Sequence, residues 1–237
     1  MSVDAVVPTL SPNSWHRTVE TLKGSVDNII VVASGQDKTP RENRDDVFII
    51  RREEQLPFGE ACRIGVEQSD AGRILFINDD AYASSGAVDC MKQSTARIVG
   101  ARLVYPNGRI QHGGGSFLPN GLPYHLHRGM PADFALAGRT YTCPWITFAA
   151  ALVDRNLWNE LDGFDRLFKN GYEDVDFCLR AKELGASIEY VGGALFGHDE
   201  STTINSLGLN QEVNWEVFQE MWVANGRLWN TVKGAMW

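Results

Sequence analysis

The chain has 237 residues, 43% of them hydrophobic and 22% charged, the composition of a globular protein able to bury a sizeable core. Its formal net charge of −8 disfavours the broad phosphate-tracking surface of nucleic-acid binders, and no run of about 18 or more apolar residues is present to span a membrane. The opening MSVDAVVPTL carries neither a basic stretch nor a long apolar one, so no secretory signal is expected; the four scattered cysteines (Cys62, Cys90, Cys143, Cys178) read as reduced thiols of a cytoplasmic protein.

Residues 3–7 form a short apolar run ended by Pro8-Thr9-Leu10-Ser11-Pro12 and predict a first strand. Trp15–Leu22 predicts a helix with Asn13 or Ser14 as its cap. Residues 28–33 are nearly all apolar, the pattern of a parallel strand buried on both faces. A third strand over 47–50, a helix over 58–68 and a fourth strand over Arg73–Ile77 complete an alternating order that predicts an open α/β sheet. Ligands of such sheets bind beyond the carboxyl ends of the strands, where this chain places Asn78-Asp79-Asp80.

From Arg97 the texture changes. Residues 98–105 predict a strand, Pro106-Asn107-Gly108 a turn and 109–112 its return. Residues 113–129, rich in Gly, Pro and His, read as a long functional loop. An apolar segment over 145–153 leads to a short helix near 156–161. A further helix starts near Glu173, carries Val175, Cys178 and Leu179 on one face and stops at Gly185. Residues 187–191 predict a last strand, ended by Gly192-Gly193, and 211–225 an amphipathic tail helix rich in aromatics. No linker separates the halves, so one domain is expected.

Three groups of residues carry chemistry. Asn78-Asp79-Asp80 is either an ordinary turn or a hard-oxygen site for magnesium or manganese, which are held by one or two carboxylates with substrate phosphates completing the shell. Glu173, Asp174 and Asp176 crowd a helix start, where acids are favoured by the dipole but where one could also act as a general base. Asp176 and Arg180 read as an i, i+4 ion pair. His198, with Asp199 and Glu200 beside it, follows the last strand and could join carboxylates around a metal. His112, His125 and His127 lack the spacing of a zinc helix, though His125 and Arg128 could contact phosphates. Phosphate-loop, dinucleotide-binding and nucleophile-elbow motifs are absent.

In this order the pieces resemble the GT-A glycosyltransferases of family 2, in particular the rhamnosyltransferase-like branch. The resemblance runs from the Val-Val-Pro-Thr-Leu opening through Phe76-Ile77-Asn78-Asp79-Asp80-Ala81, the stretch from Gly100 to Gly114, Gly163-Phe164-Asp165, and Tyr172 to Arg180. It implies an α/β GT-A fold, a single Rossmann-like mixed sheet flanked by helices. Residues 1–96 would be the nucleotide-sugar half, 97–205 the acceptor-binding and catalytic half, and 206–237 a helical tail. It also implies a metal-dependent inverting transfer of a hexosyl or deoxyhexosyl group to an acceptor hydroxyl. By the same resemblance Asp80, Asp79 and His198 would hold a divalent cation (Mn2+ or Mg2+), Asp174 would be the base and Glu173 its assistant. Pro8, Thr9, Ser34, Asn78, Asp79 and Arg128 would contact a UDP-, dTDP- or GDP-linked sugar. The acceptor is left open among glycan, lipid-linked, protein and modified-base hydroxyls, with nucleic acid not favoured.

The chain departs from the family at three points. Ala33 and Ser34 stand where an Asp often reads the base, Asn78 opens the acidic step, and Thr147-Phe148-Ala149-Ala150-Ala151 replaces a Thr-Gly-Ala pattern. Ala33 and Asn78 keep open a catalytically weak or inactive module that binds nucleotide-sugar or glycan; a further alternative is another metal-dependent nucleotide enzyme such as a nucleotidyltransferase, whose Gly-rich, basic N-terminal loop is not seen.

Overall fold

A computed structural model describes residues 1–11, 14–35, 44–199 and 211–233. Asn13, one of the two candidate caps, and Glu200 beside His198 lie outside the described residues, as do parts of the tail.

The first half follows the expected alternation: β1 (Val3–Thr9), α1 (Trp15–Leu22), β2 (Asn28–Ser34), β3 (Val47–Arg52), α2 (Phe58–Glu67) and β4 (Arg73–Ile77). These four strands lie parallel in the order β3-β2-β1-β4. Two short elements that the sequence did not announce come next, β5 (Ala81–Ala83) and α3 (Ala87–Lys92).

In the second half β6 (Ile98–Val104) and β7 (Ile110–His112) form the expected return around Pro106-Asn107-Gly108. The stretch over 113–129 is more ordered than a loop, since β8 (Gly115–Phe117) and β9 (Pro123–His125) make an antiparallel hairpin within it. Then come β10 (Thr140–Thr142), β11 (Ala150–Asp154), α4 (Arg155–Glu160), α5 (Glu173–Glu183) and β12 (Ile188–His198). The tail comprises α6 (Gln211–Phe218), a wide turn over Gln219–Val223 and α7 (Arg227–Thr231).

Strands of both halves join one mixed sheet in the order β10-β12-β6-β11-β4-β1-β2-β3, with β5 added to β12 and β7 to β6. β11 runs antiparallel to both β4 and β6. The strand expected to end at Val191 instead continues to His198. A register shift between Val191 and Leu195 absorbs the two glycines, and a side chain at Gly192 would collide with the carbonyls of Ala137 and Arg139. His198 is thus the last residue of the strand rather than a residue beyond it.

Successive side chains of a strand face opposite ways, and β4 shows what that does here. Ile74 and Phe76 enter one core layer, with Trp158, Phe164, Phe177 and Trp222; Leu75 and Ile77 enter the other, with Trp15, Val19 and Met91. Helices α2, α4, α5 and the tail cover the first face, and α1 and α3 the second. Gly65 lets α2 press onto β1, since a Cβ there would strike the Val6 side chain.

A candidate active site at the sheet rim

β4 ends at Ile77, and the backbone turns at once: Asn78 N–H donates to Ala149 O at 3.1 Å, and Ala81 N–H to Asn78 O at 3.1 Å. Thr18 on α1 clamps this turn, its hydroxyl lying 2.8 Å from Asp79 O and 2.6 Å from Ala81 O. The two adjacent carboxylates then part company. Asp79 accepts the Thr9 hydroxyl at 2.5 Å and the Ser14 hydroxyl on the same oxygen. Burial pushes its carboxyl up, and those two hydroxyls pull it back. Ser14, the other candidate cap, therefore spends its side chain on Asp79 and makes no cap hydrogen bond.

Asp80 faces β12. Its Oδ1 lies 3.0 Å from His198 Nε2, and its carbonyl accepts Asp199 N–H at 3.1 Å. His198 is buried; its Nδ1 meets Gln111 Oε1 at 2.7 Å and its Nε2 meets Asn78 Nδ2 at 3.2 Å. Beside them, Tyr82 donates to Asp199 at 2.9 Å and Arg17 stacks 3.4 Å over the Tyr82 ring.

These residues can be tested against the implied cation. Two ligands at about 2.1 Å from one magnesium-type ion, at right angles, stand about 3.0 Å apart. That is the separation of Asp80 Oδ1 and His198 Nε2. The carboxylate suits such an ion, and the imidazole is a softer donor that manganese accepts more readily than magnesium, with substrate phosphates supplying the remaining oxygens. The pair fits. Asp79 is turned away to its hydroxyls, and among the described residues no group of three or more His, Cys, Asp or Glu is placed to close around a metal.

The second acidic group sits at the start of α5, after a turn in which Asn170, Gly171 and Tyr172 all have positive φ (56°, 156° and 70°). Positive φ at the two non-glycine residues, Asn170 and Tyr172, is costly and concentrates at functional corners. The turn is held by Asn170, whose side chain accepts Phe58 N–H at 2.8 Å, and by Asn214 of α6, which donates to Lys169 O at 3.0 Å. Glu173 is 6% exposed and takes the Gly171 N–H. Burial, and then the neighbouring Asp174 charge, push its carboxyl up to about 7. Burial also raises Asp174, to about 6, against the pull of hydrogen bonds from Val175 N–H, the Thr147 hydroxyl and Phe148 N–H. The expected Asp176–Arg180 pair forms at 2.7 Å, and Trp222 donates to the other oxygen at 2.9 Å, which binds the tail to α5.

One short stretch links the two groups. Ala149 O holds Asn78, while Thr147 and Phe148 hold Asp174. Ser34 and Pro8 also stand at the carboxyl ends of their strands, but Ser34 Oγ accepts Leu56 N–H at 3.3 Å. Arg128 lies on Tyr105, with Nη2 2.7 Å from its hydroxyl, and His125 pairs with the buried His112 at 2.7 Å. The residues that sequence reasoning missed are Gln111, Thr18 and Thr147. Ser14 and Thr18 are spaced i, i+4, a signal that could have placed both hydroxyls on one face of α1; Gln111 left no such signal.

No family model matches the chain. It is 24% identical over 226 residues to the uncharacterized protein y4gI of Sinorhizobium fredii, spanning 85% of this chain and 25% of that protein. It is also 24% identical over 160 residues to the O-antigen biosynthesis protein RfbC of Myxococcus xanthus, spanning 63% of this chain and 12% of that protein. The chain thus spans a quarter or less of these relatives. Among solved structures, GalNAc-T7 with UDP, GalNAc and Mn2+ superimposes with a TM-score of 0.66 at 14% identity, over 84% of this chain and 44% of that one. S. aureus TarS 1-349 with UDP-GlcNAc gives 0.63 at 16% identity, over 93% and 65%. The fold is that of the GT-A glycosyltransferases.

Proposed function

We propose that this chain transfers a sugar from a nucleoside-diphosphate donor to an acceptor hydroxyl, with inversion and with the help of a divalent cation. One observation carries the reading: residues 147–149 hydrogen-bond the Asn78 turn on one side and Asp174 on the other, so a cation-type pair and a raised carboxyl share one rim. A fold alone never fixes an activity; this pairing of groups supports it.

Asp80 and His198 would hold Mn2+ or Mg2+, which offsets the charge that builds on the leaving diphosphate. Asp79, tied to Thr9 and Ser14, fixes the β1–α1 connection beside the donor, with Pro8, Ser34, Asn78 and Arg128 as its further contacts. The bond from the anomeric carbon to the diphosphate breaks as the acceptor oxygen bonds to that carbon. Asp174 takes the hydroxyl proton at Oδ as this happens. Glu173, its carboxyl raised by burial and by the Asp174 charge, would assist it. The donor is a UDP-, dTDP- or GDP-linked hexose or deoxyhexose, in line with the UDP of the neighbours named above and with the rhamnosyltransferase-like branch of family 2. A glycan or lipid-linked acceptor in the cytoplasm is in keeping with the four unpaired cysteines, and among the described residues no helix is long and apolar enough to cross a membrane.

The test is sugar release and transfer from a panel of nucleotide-sugars, with and without EDTA, in wild type, Asp80→Ala and Asp174→Asn. Loss of turnover on chelation and in Asp80→Ala is expected. Asp174→Asn should lose about 10²–10⁴-fold in transfer while donor binding persists. Undiminished transfer in both variants overturns the assigned roles; donor binding without any turnover in wild type favours the inactive module.

A further inference from the structure

We propose that Gln111 is a positioning residue that sets the tautomer of His198, so that the ring turns a lone pair rather than a proton toward Asp80. The inference rests on the cation-dependent reading above and adds to it a residue on a different strand. Gln111 and His198 are 5% and 7% exposed, and they belong to β7 and β12, which both pair with β6.

Two amides determine the ring's state. Gln111 presents Oε1, which can only accept, 2.7 Å from Nδ1, so Nδ1 carries the hydrogen. Asn78 presents Nδ2, which can only donate, 3.2 Å from Nε2, so Nε2 carries the lone pair. Both amides select the same tautomer independently. With the lone pair in place, Nε2 and Asp80 Oδ1 stand 3.0 Å apart, a separation that two donors to one divalent cation can take. Gln111 thus keeps the ring oriented for a metal. Outer partners of this kind fix the orientation of metal-binding histidines, and their loss weakens affinity by about 10–100-fold.

The experiment is a Mn2+ titration in the presence of UDP, read by the electron paramagnetic resonance of free Mn2+, on wild type, Gln111→Leu, Gln111→Glu and His198→Ala. ¹⁵N NMR of the imidazole reads the tautomer alongside. Gln111→Leu should weaken Mn2+ by about 10–100-fold and mix the tautomers. Gln111→Glu, which accepts the same Nδ1–H, should stay near wild type. Should the Leu variant fail to melt cooperatively, Gln111→Met replaces it. Wild-type Mn2+ affinity in Gln111→Leu, with affinity lost in His198→Ala, overturns the role of Gln111 and leaves the cation reading standing. Equal weakening in Leu and Glu variants with an unchanged tautomer also overturns it, as a packing effect. Wild type that binds no Mn2+ overturns the cation reading and this inference together.

Discussion

Replacing Glu173 by Gln should make the protein more stable, and increasingly so as pH rises. Glu173 is 6% exposed, and burial, then the Asp174 charge, lift its carboxyl from an ordinary 4.5 to about 7. The folded protein therefore binds this proton more tightly than the unfolded chain does. The stability it contributes is fully present below about pH 4.5 and is lost as pH climbs to about 7. At about 1.4 kcal/mol for each tenfold preference, holding Glu173 ionised in the fold costs about 3 kcal/mol at pH 8 and under about 1 kcal/mol at pH 5. Gln keeps an oxygen to accept the Gly171 N–H and removes the charge. Urea unfolding of wild type and Glu173→Gln across pH 5 to 8 reads the difference directly, the variant gaining about 3 kcal/mol at the upper end. A gap that stays flat with pH, or a variant weaker than wild type at pH 8, refutes the reasoning.

Two further outcomes follow from the same corner. Asp174 must be ionised to accept a proton, so the pH profile of transfer efficiency should rise through about 6; a profile flat from pH 5 to 7 removes Asp174 as the base. Trp222→Phe deletes the N–H donated to the fully buried Asp176 while keeping a ring beneath Arg227. Urea unfolding should register a loss of about 1.5–3 kcal/mol, and a loss below about 0.5 kcal/mol would show that Arg180 alone satisfies that carboxylate.

The first half of the fold was legible because its signals are local. The apolar run over 28–33 and the Arg73–Ile77 strand bury side chains on both faces of the sheet, which is why they read as continuous rather than alternating. The three residues of β5 are too few to show a period. The persistence of β12 through Gly192-Gly193 depends on the Ala137 and Arg139 carbonyls, about fifty residues earlier in the chain, so the glycines looked like an end. In the site the acids and His198 stood out by type and by position after strands. Their partners did not, because Gln111 reaches His198 across 87 residues and Thr18 reaches Ala81 across 63. Nor could residue types show that Asp79 and Asp80, adjacent in sequence, turn to different neighbours. That depended on which hydroxyls α1 brought near.

β11 runs against both of its neighbours, so at the rim it presents its entrance where a parallel strand would present its exit. In a wholly parallel sheet each rim loop leads from a strand into a helix, and its span is tied to that crossover. Here the incoming connection from β10 delivers residues 147–149, and those three residues set how far the Asn78 turn stands from Asp174. On the proposed function, the gap between leaving group and incoming hydroxyl would then depend on this three-residue stretch. On the same proposal, an insertion or deletion at 147–149 is the change expected to alter acceptor size.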